Sequence, residues 1–331
     1  MAESAAEIHL PPKALLQLLA DGQLHSGQEL AGVLGVSRTA IWKQLAKLES
    51  VGLELQSQAG KGYCLPGGLD LLDETHIREG LLARVNAAVG QFELFEIIDS
   101  TNAWLMRQES FSGISVCIAE CQTAGRGRRG RQWVSPFARN IYMSLRMTVE
   151  TGFGALEGLS LAVGVAVANA LGDLGVTDIK LKWPNDILWQ GRKLGGVLIE
   201  AAGDPSGRCH AVIGLGINLN AEASMTREID QPWVSVDEIL PVPPGRNESV
   251  IALLNYIVPV LESYETEGFE NYKSKWEALN AHLAQRVSLQ TGASQTSGLV
   301  LGVSESGGLL LSTESGLEVF HGGEVSLRAD A

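Results

Sequence analysis

The 331-residue chain has few cysteines and no long apolar run, and each shortage excludes a class of protein. Its four cysteines are scattered without C-x-x-C spacing, which argues against a zinc site or a disulfide framework and indicates a reducing compartment. The longest apolar run, Leu159–Leu171, is too short to span a bilayer and predicts a buried helix. The N-terminal residues lack the basic-then-apolar pattern of a signal peptide. We therefore expect a soluble, cytoplasmic protein with no membrane partner.

Positive charge is also in short supply. The chain carries 25 lysines and arginines against 38 aspartates and glutamates, a net charge of −13. A protein that coats nucleic acid with its whole surface is excluded, so any contact with DNA must come from a local patch. The hydrophobic fraction of 45% and the charged fraction of 19% indicate well-packed cores, and the length predicts two or three domains.

Residues 12–66 show the pattern of a winged helix-turn-helix. Ser26 opens S-G-Q-E, a capping box with Glu29, and the short helix that follows ends at Gly35. Ser37 caps a second helix, which ends before Gly52. Two helices joined by a tight glycine turn form a helix-turn-helix, and the next segments, L-E-L-Q-S-Q and Y-C-L-P joined by A-G-K-G, predict a short hairpin.

The start of the second helix supplies candidate DNA-binding residues, because that end of a recognition helix reaches base edges in the major groove. The candidates are Arg38, Thr39, Trp42 and Lys43, with Lys61 at the hairpin tip. Residues 12–66 carry five basic and four acidic side chains, so their charge of +1 is an enrichment only relative to the whole chain. A helical interaction or dimerisation module is the alternative interpretation, and Trp42 is alternatively part of the core.

The most distinctive segment is residues 124–131, here called the arginine loop, which reads A-G-R-G-R-R-G-R. Its glycines allow the backbone to approach a ligand closely, and its arginines bind phosphate or carboxylate oxygens in pairs. This combination predicts a flexible anion-binding loop, with a solvated basic loop as the alternative. The glycines also satisfy G-x-G-x-x-G, but the residues that follow, R-Q-W-V-S-P-F, disfavour the helix that a dinucleotide site requires. A Rossmann-type site is therefore not expected.

The middle of the chain alternates strand-like and helix-like segments, which predicts a mixed-sheet α/β domain. The predicted strands are Leu94–Ile98, Ile114–Glu120, Ile141–Met147, Ile179–Lys182, Gly196–Glu200 and His210–Leu215, and the predicted helices are Ala155–Leu174 and Ile251–Glu267. Polar clusters at 99–102, 182–186, 193 and 214–218 fall at strand ends. Each alone is compatible with a turn or a helix cap. Together they predict a ligand site, because open sheets bind ligands at strand ends.

The order and type of these motifs resemble those of the biotin protein ligases, specifically the bifunctional bacterial ligases that also repress the biotin operon. The matching segments are D-S-T-N (99–102), Q-T-A-G-R-G-R-R-G-R-Q-W-V-S-P (122–136), K-W-P-N-D (182–186), R-K-L-G-G-V-L-I-E (192–200), G-L-G-I-N-L-N (214–220) and G-G-E-V-S-L-R (322–328). They are collinear over nearly the whole chain, including the winged helix that single-function ligases lack.

The resemblance implies an α+β multidomain fold. A winged helix-turn-helix DNA-binding domain occupies 1–66, and a central mixed-sheet α/β domain that binds biotin and ATP occupies 67–284. Residues 285–331 alternate short apolar strands with glycine turns, which predicts a small β-barrel; the resemblance implies that this barrel is SH3-like.

The resemblance also implies a reaction in two steps. Biotin and ATP, with Mg²⁺, form biotinyl-5′-adenylate, and biotin then passes to a lysine of a biotin carboxyl carrier protein. The implied catalytic residues are Lys193, Arg126 and Asp186, with Lys193 bridging the biotin carboxylate and the α-phosphate and Arg126 holding both groups. The implied biotin-binding residues are Ser100, Thr101, Asn102, Gln122, Gly125, Arg126, Arg128 and Lys193. The implied nucleotide-binding residues are Arg128, Arg131, Trp133, Asn185, Asn218 and Trp233.

The implied partners are the carrier protein, operator DNA and, when adenylate is bound, a second copy of the chain. No metal ligands are assigned. Two other functions stay open at this point. A ligase whose winged helix no longer binds DNA is favoured by the weak local charge. A ligand-sensing transcription factor without catalysis is disfavoured because Lys193 and the complete arginine loop are both present.

Overall fold

The structure is a computed structural model that describes residues 11–108, 113–220, 229, 231–291 and 294–321, together with the backbone of the strand Val325–Ala329. Internal contacts divide the chain into two compact units. The first comprises the described residues up to Leu72 together with Pro136–Ala138, and the second comprises the rest of the described chain.

The first unit contains a helix-turn-helix followed by a hairpin, as predicted. Its elements are α1 (Lys13–Leu19), α2 (Gly27–Leu34), α3 (Arg38–Leu45), β1 (Gln56–Gln58) and β2 (Gly62–Cys64). The capping box of α2 is formed, since the Glu29 amide donates to Ser26 Oγ over 3.1 Å. The Ala40 amide donates to Ser37 Oγ in the same way at the start of α3. The second helix is shorter than predicted, because a 3₁₀ turn at Leu48–Val51 precedes the left-handed Gly52.

The hairpin is fastened to the helical part of this unit through its backbone. The amides of His25 and Tyr63 each donate to the carbonyl of the other over 2.9 Å. A Cβ at Gly62 would lie 2.1 Å from the His25 carbonyl oxygen, so only glycine allows this approach. The glycines of the predicted turn therefore place Lys61 at the tip of a fixed wing.

The second unit is built on a seven-stranded mixed sheet in the order β3-β4-β5-β9-β8-β7-β6. Its strands are β3 (Val89–Ile98), β4 (Ile114–Gln122), β5 (Ile141–Val149), β6 (Ile179–Lys182), β7 (Asp186–Trp189), β8 (Arg192–Gly203) and β9 (Cys209–Ile217). The pair β3 and β4 is parallel, and the other neighbours are antiparallel. All six predicted strands are confirmed, and most are longer than predicted. The strand β7 was not predicted, because K-W-P-N-D reads as a turn and its last residue begins the strand.

Helices pack against this sheet and against one another. They are α4 (Glu74–Gly80), α5 (Ala83–Ala88), α6 (Thr101–Arg107), α7 (Leu159–Asp173), α8 (Val236–Ile239), α9 (Arg246–Glu267) and α10 (Glu270–Leu279). The prediction Ala155–Leu174 starts too early, since Gly158 has a φ of 73° and α7 begins after it. By length and composition alone, Phe153–Asp173 could cross a membrane, but most of it is buried inside the fold.

The C-terminal part of the second unit is a five-stranded antiparallel sheet in the order β13-β12-β11-β10-β14. Its strands are β10 (Arg286–Thr291), β11 (Ser294–Val303), β12 (Leu309–Thr313), β13 (Gly316–Phe320) and β14 (Val325–Ala329). The SH3-like barrel and the domain boundaries at 66 and 284 stay predictions. Residues 322–324, the start of the last family motif, lie outside the described residues.

Candidate functional site

A cavity of about 950 Å³ opens in the second unit at the ends of the strands β6 to β9. It brings together most of the residues predicted from sequence: Ser100, Thr101, Asn102, Gln122, Arg126, Arg128, Arg131, Trp133, Asn185, Asp186 and Lys193. Asn218 and Trp233 line a pocket of about 430 Å³ that shares Arg131, Trp133 and Lys193 with this cavity. Gly125 lines a third recess on the other side of the arginine loop.

The cavity is strongly cationic although the chain is acidic. Seven lysines or arginines line it, against two aspartates. The set consists of Arg126, Arg128, Arg129, Arg131, Lys180, Lys182, Lys193, Asp178 and Asp186. Clustered cations inside a concave surface attract an anion and stabilise negative charge that develops there. The cavity is therefore suited to a ligand that carries phosphate or carboxylate groups.

The hairpin of β7 and β8 sets the geometry of the central ion pair. Lys193 Nζ lies 2.6 Å from Asp186 Oδ1, and both side chains are largely buried. A register shift between Ile187 and Leu188 places the two residues on the same side of the hairpin. The ammonium also lies 5.5 Å from the centre of the Trp133 ring, within the range of a cation–π contact. Lys193 is thus held in place before any ligand binds.

Two glycines of G-L-G-I-N make room for side chains of the site. A Cβ at Gly216 would lie 2.3 Å from Trp133 Cε2, so the indole rests directly on the backbone of β9. A Cβ at Gly214 would lie 2.2 Å from Asn102 Oδ1. Trp133 is half-buried, and its Nε1 is buried without a hydrogen-bond partner among the described residues. These glycines are required by close approach rather than by a turn.

The arginine loop folds back on itself without forming an α-helix. The Trp133 amide donates to the Gly125 carbonyl over 2.9 Å, and the Gly127 amide donates to the Arg131 carbonyl over 2.7 Å. Arg128–Gly130 form a short 3₁₀ turn. No α-helix follows the glycines, so the prediction that R-Q-W-V-S-P-F does not form the helix that a dinucleotide site requires is confirmed.

The two arginines expected to bind ligand occupy different environments. Arg126 is half-exposed, and its Nη1 lies 3.2 Å from Glu200 Oε1 at the rim. Arg128 is more deeply placed and donates from Nη1 to Asn185 Oδ1 over 3.1 Å. Its Nη2 is buried without a partner among the described residues, and burial lowers the pKa of the guanidinium despite the nearby Asp186. A buried unpaired donor beside a cavity is a strong position for an anionic ligand oxygen.

A chain of hydrogen bonds between polar side chains borders the other part of the cavity. Thr101 donates from its amide to Gln122 Oε1, and its hydroxyl lies 2.7 Å from Ser144 Oγ. Ser144 donates in turn to Asn102 Oδ1, and Asn102 Nδ2 donates to Glu200 Oε2. Ser100 caps α6 through the Ala103 amide over 3.4 Å, so the helix-cap interpretation of that residue is confirmed. This arrangement offers donors and acceptors side by side, as a cyclic urea requires.

Asn218 and Trp233 act on the backbone around Lys193. Asn218 is buried and donates from Nδ2 to the carbonyls of Lys193 and Val234. Lys193 and Trp233 form a parallel backbone bridge, with the Lys193 amide bonded to the Pro232 carbonyl. These contacts fix the strand that carries Lys193. Whether either residue also contacts nucleotide stays a prediction.

Among the polar residues that were not predicted, Asp178, Lys180 and His282 line the cavity, and Glu200, Ser144 and Ser135 bond to predicted site residues. Glu200 ends the motif R-K-L-G-G-V-L-I-E and accepts from both Arg126 and Asn102. Ser135 lies in the matched segment 122–136, where it bonds to Gln122, whereas Ser144 lies in a strand with no local signal and is brought to Thr101 only by the fold. Among the residues that the structure describes, no group of three His, Cys, Asp or Glu side chains could hold a metal ion. Burial raises the pKa of the Cys121 thiol to about 11, so it is not a thiolate nucleophile at neutral pH.

The first unit presents the predicted DNA-binding residues together on its surface. Arg38, Thr39, Lys43 and Lys61 are all exposed. Trp42 is 62% exposed, so the alternative that it belongs to the core is wrong. An exposed indole between two cations on one helix is consistent with a recognition helix.

The chain is similar to families and to individual proteins of known function. Residues 94–218 match the Biotin/lipoate A/B protein ligase family, residues 13–64 match an HTH domain, and residues 282–328 match the Biotin protein ligase C terminal domain. The chain is 38% identical over 320 residues to the Bifunctional ligase/repressor BirA of Salmonella typhimurium, covering 96% of this chain and 98% of that protein. It is 32% identical to the Biotin--[acetyl-CoA-carboxylase] ligase of Paracoccus denitrificans over 69% of this chain and 96% of that one.

A solved structure is also similar. The biotin protein ligase from Aquifex aeolicus in complex with biotin and ATP superposes with a TM-score of 0.63 and 30% identity. The match covers 73% of this chain and 100% of the Aquifex chain.

Proposed function

The chain belongs to the biotin protein ligases of the bifunctional ligase/repressor type, and from this membership and the cavity we infer how its residues perform the two activities. It is an ATP-dependent biotin ligase and a repressor of a biotin operon. In the first step, a biotin carboxylate oxygen attacks the α-phosphorus of ATP and pyrophosphate leaves. In the second, a lysine amine of the acceptor protein attacks the acyl carbon, AMP leaves, and an amide is formed.

The observation that carries the assignment of roles is the largely buried Lys193 in a cavity lined by seven cations. A carboxylate and a phosphate repel each other as they approach, so the reaction needs fixed positive charge between them. The Lys193 ammonium is already oriented by Asp186 and Trp133, and it would place that charge with little reorganisation. We therefore propose that the Lys193 ammonium contacts both the biotin carboxylate and the α-phosphate.

Arg128 and Arg126 are proposed to contact the anionic ligand in different ways. Arg128 has a buried Nη2 that lacks a partner among the described residues, and this donor suits a phosphate or carboxylate oxygen inside the cavity. Arg126 would have to leave Glu200 to reach the same ligand, so its contribution begins only when the ligand replaces Glu200 as its partner. Arg131 is exposed, and its carbonyl supports the fold of the loop.

The polar chain of Thr101, Asn102, Ser144 and Gln122 is assigned to the ureido ring of biotin. A cyclic urea has one carbonyl and two N–H groups, which these side chains can satisfy with their alternating acceptors and donors. The half-buried Trp133 and Trp233 are assigned to the adenylate, which they would cover with apolar surface. Covering it matters because an acyl adenylate hydrolyses readily in water.

Asp186 lies beside Lys193, and its carboxylate is suited to bind Mg²⁺ together with the phosphates of the substrate. This ion is commonly held by one or two carboxylates together with substrate phosphates, so a site without a three-ligand cluster suffices. Bound Mg²⁺ would neutralise the phosphates that leave as pyrophosphate. Asn185 and Asp186 line the same cavity, and we also assign them to the incoming lysine, which must lose its proton before it attacks.

The partners follow from the two surfaces. We propose that the acceptor is a biotin carboxyl carrier protein, that the winged helix binds operator DNA, and that the chain pairs with a second copy when it holds adenylate. We place the ligation, the DNA binding and the pairing in the cytoplasm. A single winged helix with a local charge of +1 gains little from phosphate contacts, whereas two linked heads reading a palindrome gain an intramolecular second contact.

The experiment that tests the enzymatic function uses the purified full chain with biotin, ATP, Mg²⁺ and a biotin-carrier domain, and reads the product on a streptavidin blot. Labelling that requires both ATP and biotin is expected. A carrier whose acceptor lysine is replaced by arginine is the matched control. Absence of labelling with a carrier that another ligase modifies would refute the ligase assignment and leave a ligand-sensing transcription factor.

A further inference from the structure

Arg129 in the arginine loop has a backbone conformation that normally selects glycine. Its φ is 57° and its ψ is 36°, in the left-handed region, although glycines occupy three other positions of the loop. A residue with a Cβ is less stable than glycine in this conformation. An arginine at this position therefore indicates that its side chain makes a contact that offsets the difference.

That contact is with the C-terminal sheet. Arg129 Nη2 donates to the backbone carbonyl of Gln290 over 3.2 Å, across 161 positions in sequence. Gln290 lies in β10, which pairs with β11 on one side and β14 on the other, so the acceptor is held within a ladder. The preceding Arg128 bonds instead to Asn185. Two successive arginines thus attach the loop to two different parts of the unit.

The C-terminal sheet is itself fixed to the catalytic part of the unit. The buried Trp183 donates from Nε1 to the Gly307 carbonyl over 2.9 Å. A Cβ at Gly307 would lie 2.7 Å from Gly158 Cα, so the two backbones are in close contact where α7 begins. Residues immediately before β10, including Gln285, line the cavity. A loop attached to β10 is therefore attached to a rigid wall of the cavity.

We propose that Arg129 is a positioning residue that latches the arginine loop to the C-terminal sheet and so holds it closed over the activated acyl group. The latch leaves Arg129 out of contact with the ligand, in contrast to Arg128. When it opens, water reaches the acyl carbon, AMP leaves, and free biotin is regenerated without an acceptor being modified. The consequence for the adenylate rests on the proposed ligase function, whereas the latch itself does not.

The latch is tested first in the unliganded full chain by hydrogen exchange measured by mass spectrometry. Peptides covering 123–134 report the loop, in which the amides of Gly127 and Trp133 are bonded to carbonyls of the loop. Arg129→Asn removes the guanidinium while keeping a residue that tolerates the left-handed conformation. We expect about three- to tenfold faster exchange, the effect of losing one charged hydrogen bond near the surface. Gln290→Ala is the control, because it keeps the backbone acceptor, and its exchange should match that of the wild type.

The second arm measures how long the adenylate is retained. Preformed adenylate is followed after free biotin and ATP have been removed, so that the rate of its formation does not enter, and Arg129→Asn should release or hydrolyse it about three- to tenfold faster than the wild type. Unchanged loop exchange in Arg129→Asn would overturn the latch, and equally faster exchange in Gln290→Ala would assign the effect to the sheet instead. If the wild type forms no adenylate, the proposed function fails, but the exchange result still decides whether the latch exists.

Discussion

The cations of the catalytic unit and those of the winged helix are prepared in opposite ways. Each of three cavity cations already has a partner: Lys193 with Asp186, Arg126 with Glu200, and Arg128 with Asn185. The predicted DNA-binding cations of the first unit, Arg38, Lys43 and Lys61, form no ion pair with any residue that the structure describes. One set is oriented before the ligand arrives, and the other is free to exchange counterions.

The two sets of cations bind different anions: the reacting phosphate and carboxylate in the cavity, and the DNA backbone at the winged helix. A site that stabilises charge in a transition state works best when its groups are fixed in advance and shielded from water. Binding to the DNA backbone is driven by release of counterions from phosphates, which needs exposed cations and is sensitive to salt. Substitutions in the two sets of cations should therefore affect catalysis and DNA binding separately.

The largest effect is expected for Lys193→Ala. Because its charge matters most as negative charge develops on the phosphate, adenylate formation should slow on the order of 10²–10³-fold while biotin affinity changes much less. Pyrophosphate release in a single turnover measures this rate. An unchanged rate would remove Lys193 from the mechanism, and the DNA affinity of the unliganded variant should stay that of the wild type.

A smaller effect distinguishes the two arginines of the loop. Arg128→Gly removes a partly buried donor and should shorten retention of the adenylate by about 10- to 100-fold. Arg126→Gly breaks an exposed ion pair and should shorten it by at most about fivefold. Biotin that becomes attached to lysines of other proteins measures how much adenylate escapes from the site. If Arg126→Gly proves the more damaging variant, the assignment of Arg128 to the ligand is wrong.

A third variant acts on the winged helix alone. Lys43→Ala should weaken operator binding at low salt and reduce the slope of log affinity against log salt by about 1. Ligation should continue at the wild-type rate. Lys13→Ala, an exposed lysine on α1, is the matched control. An equal loss of slope in both variants would mean that DNA responds to the net charge and not to the recognition helix.

The smallest effect concerns pH. His25 bonds to Asp21 and also to Glu29, and these contacts raise the pKa of the imidazole, although burial opposes them. Because the folded pKa lies above the unfolded value of 6.5, the stabilisation is complete below pH 6.5 and is lost as pH rises through the folded pKa. Exchange of the His25 amide should accelerate slightly as pH rises, after correction for intrinsic exchange, and His25→Gln should abolish that change. A pH-independent difference between the two proteins would exclude titration of His25.

Local signals in the sequence predicted the parts of the fold that short segments determine. The caps at Ser26 and Ser37 and the strand Ile179–Lys182 required only neighbouring residues. The different environments of Arg126 and Arg128 could not be predicted, because the two residues lie in the same loop. Their partners, Glu200 and Asn185, come from other segments of the chain. The motifs indicated which residues gather, and only the folded chain shows which of them face the cavity.

We expect the ligand made in the catalytic unit to control the DNA-binding unit. The most direct test is the affinity of the full chain for the DNA upstream of its organism's biotin genes, measured at fixed salt with and without biotinyl-5′-adenylate. Coupling through dimerisation predicts binding about 5- to 150-fold tighter with the adenylate. Equal affinity in the two states would contradict the link and leave a ligase with an independent winged helix.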